Sequence, residues 1–232
     1  MVNLGEALTL AIHASYRRAM SERIPSPRPA KPGRRAQNKA DKLRRITDAA
    51  HRLFVEKGFD GTTMRDIATG AGVGFGTLFD YAANKRDLLF LTFNPKLESV
   101  LDAGLRAVNM ETNVVDRLMA LFSGYYALYG RERDMSRAVL RELNFFSEGA
   151  EAQKFLGHRD LFIAAVQEQF AHGIETGELR AIPVDVAGRA VFALYAWEVR
   201  RWLAADHPSL ARGLLDLRTL LDTVIEGFRS PG

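Results

Sequence analysis

The sequence of 232 residues predicts an all-α protein, with a three-helix domain near the N-terminus and a larger helical domain after it. Three observations support this prediction. Apolar residues recur at helical spacing through most of the chain after about residue 39. Clusters of Gly, Pro and Asn interrupt that spacing at intervals typical of helical domains. No sustained run alternates apolar and polar residues in the way that a half-buried strand requires.

Composition limits the class of protein. The chain contains no cysteine, which excludes disulfides, thiolate metal sites and a cysteine nucleophile, and favours a reducing compartment. No apolar run approaches the ~18 residues that a membrane span needs. The apolar stretch near the N-terminus is interrupted by Glu6 and lacks the preceding positive charges of a signal peptide. We therefore expect a cytoplasmic protein with no membrane association.

The charge of the chain is unevenly distributed. Residues 1–86 contain 16 Lys and Arg against 8 Asp and Glu, whereas residues 87–232 contain 16 against 20. A basic N-terminal part attached to a mildly acidic remainder suggests a polyanionic partner such as nucleic acid. A solvated charged surface would give the same composition, so charge alone leaves both interpretations open.

The first 38 residues are predicted to be an appendage. Residues 3–22 have the spacing of an amphipathic helix, and four prolines between Pro25 and Pro32 predict an extended linker after it. Basic side chains are frequent here, with eleven Lys and Arg between Arg17 and Arg45. One interpretation is an arm that enters the minor groove of DNA, and the other is a charged tail with no specific role. The arm would use Arg28, Lys31, Arg34 and Arg35.

Helices are predicted in order along the rest of the chain. The first includes Leu43 to Lys57 and is ended by Gly58. Six further helices follow the region around residues 62–81, separated by breaks such as Asn109–Asn113, Gly130 and Gly177–Pro183. Their expected ranges are 85–107, 114–129, 133–147, 153–176, 184–204 and 209–229.

The segment Thr62–Tyr81 meets the packing demands of a helix-turn-helix. Thr63 and Asp66 form the pattern of a capping box at a helix start. Ala68 supplies a small side chain where two helices cross, and Gly72 permits the positive φ of a sharp turn. Val73, Leu78 and Tyr81 then pack the second helix on the first. The segment Gly72–Gly76 also looks like a glycine-rich phosphate loop, but such a loop follows a strand, and a helical pattern precedes this one.

Five short motifs occur in order between Leu43 and Leu89. They are Leu53-Phe54-x-x-x-Gly58-Phe59, Thr62-Thr63-x-Arg65-Asp66-Ile67-Ala68, Ala71-Gly72-Val73, Gly76-Thr77-Leu78-Phe79-x-Tyr81 and Asn84-Lys85-x-x-Leu88-Leu89. Together they resemble the N-terminal domain of TetR-type (tetracycline-repressor-like) transcriptional regulators. The resemblance implies a division into an N-terminal extension (1–38), a helix-turn-helix DNA-binding domain (39–88) and a helical domain for ligand binding and dimerisation (89–232).

The resemblance also implies which residues contact DNA. The second helix of the motif, about Gly74–Tyr81, would lie in the major groove, with Phe75 at a thymine methyl and Thr77 at a base edge or phosphate. Positions before and after it would contact phosphates. The complete expected set is Thr63, Arg65, Gly74, Phe75, Gly76, Thr77, Tyr81 and Lys85.

Four positions depart from the usual pattern of the family. Gly74 replaces a common polar residue, Phe79 replaces a frequent tyrosine, and Ala82-Ala83 replaces a bulky aromatic residue. The recognition helix therefore offers few polar side chains that can read bases. Backbone amides and the basic N-terminal residues gain importance as a result.

The C-terminal domain is rich in large aromatic residues, which at helical spacing belong to a core. The resemblance implies that central helices also enclose a pocket for a small apolar or amphipathic effector, although packing and pocket lining have the same spacing. Glu142 is a further polar candidate beside the expected pocket residues, which are Phe122, Tyr125, Tyr126, Arg141, Phe145, Phe162 and Tyr195.

The last two helices each carry a broad apolar face, and the family pairs these faces across a homodimer. One face contains Val186, Ala190, Ala193, Leu194, Trp197 and Arg201. The other contains Leu210, Leu214, Leu217, Leu221, Val224, Ile225 and Phe228.

The function predicted from these observations is a repressor that an effector releases from a palindromic operator in double-stranded DNA. An activator, a ligand-independent regulator and a helical enzyme that retains the fold are the alternatives. We predict no catalytic residues, metal or cofactor. The five histidines lack metal-binding spacing, and nothing local supports convergence of Glu142, His158 and His172.

Overall fold

The computed structural model describes residues 33–110, 112–143 and 149–230. Within these ranges the chain forms nine helices, and its only β pairing is an isolated bridge between Leu179 and Arg229. The all-α prediction is confirmed. The helices are α1 (Arg34–Gly61), α2 (Met64–Ala71), α3 (Phe75–Leu78), α4 (Lys85–Ala107), α5 (Val114–Arg131), α6 (Arg133–Leu143), α7 (Ala150–Glu175), α8 (Val184–Ala204) and α9 (Leu210–Glu226).

Two expectations for the N-terminal region have different outcomes. The amphipathic helix predicted at residues 3–22, and the cations Arg28 and Lys31, lie outside the described residues. Arg34 and Arg35 were expected in an extended arm, and this part of the prediction is wrong because both lie in the first turn of α1. Once the prolines end at Pro32, the sequence from Arg34 to Leu43 contains no helix breaker, and the helix extends back through it.

Gly58 interrupts α1 as its sequence position predicts. Its φ of 73° and ψ of 165° are not helical, which only glycine adopts without strain. The side chain of Thr62 compensates for the interruption, since its hydroxyl donates to the carbonyl oxygens of Leu53 (3.0 Å) and Gly58 (2.7 Å). Thr62 is completely buried, so this pairing satisfies polar atoms that have no access to water.

The described residues divide into two compact units. The first contains residues 33–99 together with the described part of 131–158, and the second contains residues 100–130 and 159–230. The first unit therefore includes α1 to α3 and also α6, which the sequence analysis assigned to the larger C-terminal domain. No described helix is long and apolar enough to cross a membrane.

The first unit is held by an apolar core and by ion pairs around it. Aliphatic and aromatic side chains from α1 to α4 are buried there, among them Ile46, Phe54, Ile67, Leu78, Leu89 and Phe93. The Arg86 side chain donates to Glu142 at 2.8 Å, which joins the start of α4 to α6. The Asp87 carboxylate accepts from the backbone N–H groups of Ala83 (3.1 Å) and Glu151 (3.2 Å), so that it caps the starts of both α4 and α7.

The second unit contains a buried arginine that connects three segments of the chain. The Arg117 guanidinium is 2% exposed and forms an ion pair with Glu178 at 3.1 Å. It also donates to the carbonyl oxygens of Thr112 and Gln169. Glu178 in turn accepts from the backbone N–H of Val114 at 2.7 Å. The pair therefore fixes the start of α5 against α7 and the turn that follows it.

Candidate nucleic-acid interface and ligand site

The helix-turn-helix begins with the predicted capping box. The backbone N–H of Asp66 donates to the Thr63 hydroxyl oxygen (3.1 Å), and the backbone N–H of Thr63 donates to the Asp66 carboxylate (2.9 Å). Hydrogen bonds from the Thr63 side chain and backbone hold the pKa of Asp66 below its ordinary value. The box fixes the start of α2, and the Thr63 side chain remains exposed beside it.

Gly72 forms the turn between α2 and α3, and Gly70 lies in α2 shortly before it. Gly72 has a φ of 61°, as predicted, and the chain folds back with the Val73 N–H donating to the Ala68 carbonyl at 3.0 Å. The role of Gly70 was not predicted from the sequence. A Cβ at that position would lie 3.2 Å from the Arg52 guanidinium and 3.5 Å from Ala49, so α1 and α2 approach closely there. Ala68 is buried at the predicted crossing.

The recognition helix α3 presents an unusual surface. Leu78 is completely buried, which confirms its predicted role in the core, and Gly74 contributes no side-chain cap. The aromatic rings of Phe75 and Phe79 are exposed and meet edge to face, with centroids 5.2 Å apart. The guanidinium of Arg65, on α2, lies 5.5 Å from the centroid of the Phe75 ring.

Tyr81 and Lys85 are anchored to α1. The Tyr81 hydroxyl donates to the Lys39 carbonyl oxygen at 3.5 Å. The Lys85 ammonium donates to the carbonyl oxygens of Phe59 (2.7 Å) and Asp60 (3.3 Å), and lies 4.5 Å from the Phe59 ring centroid. Because an ammonium has three donors, these contacts fix Lys85 and leave one N–H for a phosphate. Both expected DNA contacts stay predictions.

The N-terminal half of α1 is strongly cationic. All of residues 34–45 are exposed, and they contain six Lys and Arg against Asp41 alone. Further along α1, Arg45 reaches the turn, since a Cβ at Gly72 would lie 3.5 Å from its guanidinium. Residues 34–45 therefore form a basic surface in the same unit as the recognition helix, which we call the α1 basic surface.

Five of the predicted pocket residues form one buried aromatic cluster in the second unit. Phe122 stacks on Tyr195 with centroids 4.6 Å apart, and Tyr125 lies 4.6 Å from Phe162. Tyr126 joins through Tyr195, at 6.2 Å. A stack of 4.6 Å has no space for a ligand between its rings, so an effector that binds at this cluster must separate some of them.

The tyrosines give this cluster polar groups in apolar surroundings. Burial raises the pKa of Tyr195 and Tyr125 well above the ordinary value, and raises the pKa of Tyr129 to about 12. These phenols are neutral at physiological pH, as an ordinary tyrosine is, and can donate or accept hydrogen bonds. That the cluster lines an effector pocket stays a prediction.

The other two predicted pocket residues are not in the described part of this cluster. Phe145 lies outside the described residues. Arg141 belongs to the first unit, where its guanidinium donates to both carboxylate oxygens of Asp60 (2.8 and 2.9 Å) and lowers the pKa of that group. Glu142 is engaged with Arg86 in the same unit. Helical spacing located both side chains on α6 but could not reveal these partners.

Metal binding has no support in the described residues. None of them form a group of three or more His, Cys, Asp or Glu side chains that could hold a metal ion. A metal site formed by Glu142, His158 and His172 therefore has no support from the described residues, as it had none from the sequence.

Comparison with known proteins gives two family matches. Residues 46–91 match the family described as "Bacterial regulatory proteins, tetR family". Residues 111–208 match the family described as "Tetracyclin repressor-like, C-terminal domain". The first match contains the complete helix-turn-helix, and the second contains the described members of the aromatic cluster.

Individual relatives cover most of the chain. The fatty acid metabolism regulator protein of Bacillus subtilis (strain 168) is 23% identical over 192 residues, covering 82% of this chain and 95% of the relative. The transcriptional regulator HbdR of Aromatoleum sp. (strain CIB) is 26% identical over 174 residues, covering 74% and 75%. Among solved structures, the TetR-family repressor FadR of Thermus thermophilus, in complex with lauroyl-CoA, is 26% identical with a TM-score of 0.63, covering 82% of this chain and 96% of that one.

Proposed function

The chain belongs to the TetR family of bacterial regulatory proteins and is a DNA-binding transcriptional regulator, and we propose that it is a repressor which an effector releases from a palindromic operator. The observation that carries the proposal is the geometry of the helix-turn-helix. Its capping box and left-handed Gly72 fix α3 at the surface, in the same unit as the α1 basic surface. A recognition helix beside cations is the arrangement that DNA binding requires.

The DNA contacts that we propose are the eight residues predicted from the sequence, with Arg45 and Arg52 added. Arg65, Phe75 and Gly76 are exposed on or beside α3, where base edges would lie. Thr63, Tyr81 and Lys85 flank it at positions suited to phosphates. Arg45 lies beside Gly72 in the turn and Arg52 beside Gly70 in α2, and both would approach phosphates there.

Selection of DNA by the purified protein tests this function. Genomic fragments of the source organism, including the region upstream of the protein's own gene, are incubated with the full chain, and the retained fragments are sequenced. We expect a recurring palindrome, bound at least a thousandfold more tightly than random DNA. Fragments retained without a shared sequence would contradict sequence-specific regulation.

We expect the α1 basic surface to contribute to DNA affinity mainly through phosphates. In the variant Arg34→Gln, Arg35→Gln and Lys39→Gln, the slope of log affinity against log salt should become less steep by up to about 5 for a dimer, since each neutralised phosphate contributes about 0.9. Fluorescence anisotropy at several salt concentrations measures the slope. The control replaces three exposed arginines of the second unit, Arg159, Arg189 and Arg229, by glutamine. Equal slopes for the two variants would show that the α1 basic surface does not bind DNA.

We propose that two copies associate through α8. Val186, Ala190, Ala193 and Trp197 follow one another at helical spacing, and all four are exposed. The apolar face predicted for α9 is only partly available, because Leu217, Leu221 and Ile225 are buried within the unit itself. The part of that prediction which assigned these three residues to the partner is therefore wrong. Leu210 and Leu215 remain exposed and would join the interface.

We propose an acyl-coenzyme A as the effector. FadR of Thermus thermophilus, 26% identical to this chain over most of its length, was solved with lauroyl-CoA. The aromatic cluster would receive the acyl chain, since Phe122, Phe162 and Tyr195 supply a buried apolar environment. The buried tyrosine hydroxyls would pair with the polar thioester. Separation of the stacked rings on binding would couple the ligand to the conformation of the unit.

Lauroyl-CoA should raise the melting temperature and release the operator. A ligand at a hundred times its Kd stabilises the folded state by about 2.7 kcal/mol, which differential scanning fluorimetry detects as an upward shift. Anisotropy with labelled operator measures the release in the same solutions. Coenzyme A and free laurate are the controls, and neither alone should reproduce both effects. If acyl-CoA of every chain length leaves both readings unchanged, this effector class is wrong.

A transcriptional regulator acts where the chromosome is, so we place it in the cytoplasm. The relatives described above are named transcriptional regulators, and we propose no enzymatic activity for this chain. An activator would bind the same operator, and transcription assays with and without the protein distinguish it from a repressor.

A further inference from the structure

Two large aromatic side chains are exposed at the recognition helix α3, one on its first residue and one at its C-cap. Phe75 is 44% exposed and Phe79 is 48% exposed, although both belong to a residue type that is usually buried. They are four residues apart and therefore lie on the same face of the helical turn. Their rings meet edge to face at 5.2 Å. The neighbours Gly74 and Gly76 have no side chains, so the two rings project beyond the surrounding surface.

Arg65 supports one end of this pair. Its guanidinium lies 5.5 Å from the Phe75 ring centroid, an interaction that restricts the ring and the cation together. A guanidinium has five N–H donors, and contact with a single ring leaves donors for other partners. The aromatic pair of Phe75 and Phe79 is thus in contact with a cation, Arg65, that can bind phosphate or guanine.

The chemistry of the major groove identifies what the aromatic pair contacts. Bases display hydrogen-bond donors and acceptors there, and the C5-methyl of thymine is the only apolar group. A phenyl ring that covers a methyl group removes apolar surface from water, which favours binding. Over the amino group of cytosine or the acceptors of guanine, the same ring would remove water without offering a hydrogen-bond partner.

We propose that Phe75 and Phe79 together select thymine methyl groups at neighbouring base pairs of each half-site, with Phe79 as a specificity-determining residue in its own right. Consecutive base pairs are about 3.4 Å apart along a strand. Rings separated by 5.2 Å can therefore contact methyls on adjacent pairs. Phe79 has no hydroxyl group, so its ring offers an entirely apolar face for this purpose. The inference rests on the proposed DNA binding and adds the base that is read.

Deoxyuridine provides the sharpest test, because it removes only the methyl group of thymine. Binding sites are first selected from randomised duplexes with the full chain. Each thymine of the selected half-site is then replaced by deoxyuridine, and affinity is measured by anisotropy. We expect at least two neighbouring positions at which the loss of the methyl weakens binding by roughly fourfold. At one of them Phe79→Ala should bind thymine and deoxyuridine equally, and at the other Phe75→Ala should do so.

Two further variants serve as controls. Val55→Ala removes an exposed apolar side chain of the same unit and should leave the thymine-to-deoxyuridine ratio unchanged. Phe79→Leu retains an apolar side chain and should keep part of the preference, which separates reading of the methyl from loss of folding in Phe79→Ala. Circular dichroism and size-exclusion chromatography confirm the fold and the oligomeric state of each variant.

The outcomes separate this inference from the function on which it rests. If no site is selected, the proposed DNA binding fails. If a site is selected but deoxyuridine at every position binds as tightly as thymine, or if Phe79→Ala keeps the wild-type ratio, DNA binding stands and the thymine reading is overturned. A change of oligomeric state in Phe79→Ala, with an unchanged ratio, would assign the aromatic pair to a protein contact instead.

Discussion

Replacing Glu178 with alanine should lower the free energy of unfolding by about 3–5 kcal/mol, because it leaves the buried charge of Arg117 without its partner. The Arg117 guanidinium is 2% exposed, so water cannot replace the lost carboxylate. The backbone N–H of Val114 loses its acceptor in the same variant. Chemical denaturation, at a fixed protein concentration because the protein is proposed to dimerise, measures the change.

Two variants show whether the ion pair is responsible. Glu175→Ala removes an exposed carboxylate at the end of α7, three residues before Glu178, and should change stability by less than about 0.5 kcal/mol. The double variant Arg117→Met and Glu178→Leu removes both charges and should recover much of the loss, since neither charge is then left unpaired. Equal losses in Glu175→Ala and Glu178→Ala would contradict a dominant role for the pair.

Replacing Trp197 with aspartate should convert the proposed dimer to monomers and weaken operator binding by about a hundredfold or more. Trp197 is 66% exposed at the C-terminal end of the exposed face of α8 that begins at Val186, and exposed tryptophans of this kind are the residues that dominate interfaces. A carboxylate there would be buried without a partner in the dimer. Separate protomers lose the effective concentration that makes the second half-site bind readily.

Analytical sedimentation measures the oligomeric state of the variant, and fluorescence anisotropy measures its affinity for the operator. Met110→Asp makes the same apolar-to-acidic change at an exposed position of the same unit outside α8 and α9, and should alter neither reading. A Trp197→Asp protein that remains a dimer would place the interface elsewhere. A monomeric variant with unchanged operator affinity would show that binding does not require two half-sites.

Sequence patterns located the helices and the turn because each depends on local chemistry. Helical spacing and glycine breaks placed α4 at residues 85–107 and α8 at residues 184–204, as the structure has them. The capping box of Thr63 and the positive φ of Gly72 follow from single residue types with one favoured geometry. The same approach confirmed Leu78 as core, since its position follows from the turn before it.

Features that depend on distant partners were not available from sequence. Asp60 and Arg141 are 81 positions apart, and only the fold brings them into a bidentate pair. The carbonyl oxygens that fix Lys85 belong to residues 59 and 60, which no local pattern connects to it. Periodicity also identifies an apolar face without saying what covers it, which is why Leu221 was assigned to a partner although it packs within its own unit.

A hydroxyl-radical footprint on the selected operator tests the central claim most directly, namely that Thr62–Tyr81 is the element that reads DNA. Phe75→Asp is the matched variant, because this exposed side chain can change without loss of core packing, while the new carboxylate repels the DNA. We predict two protected tracts for the wild-type protein, centred about one helical turn (roughly 34 Å) apart and related by a two-fold axis. Both should disappear in Phe75→Asp. Protection that persists in this variant, in a protein shown to be folded and dimeric, would contradict the assignment of this segment as the DNA-reading element.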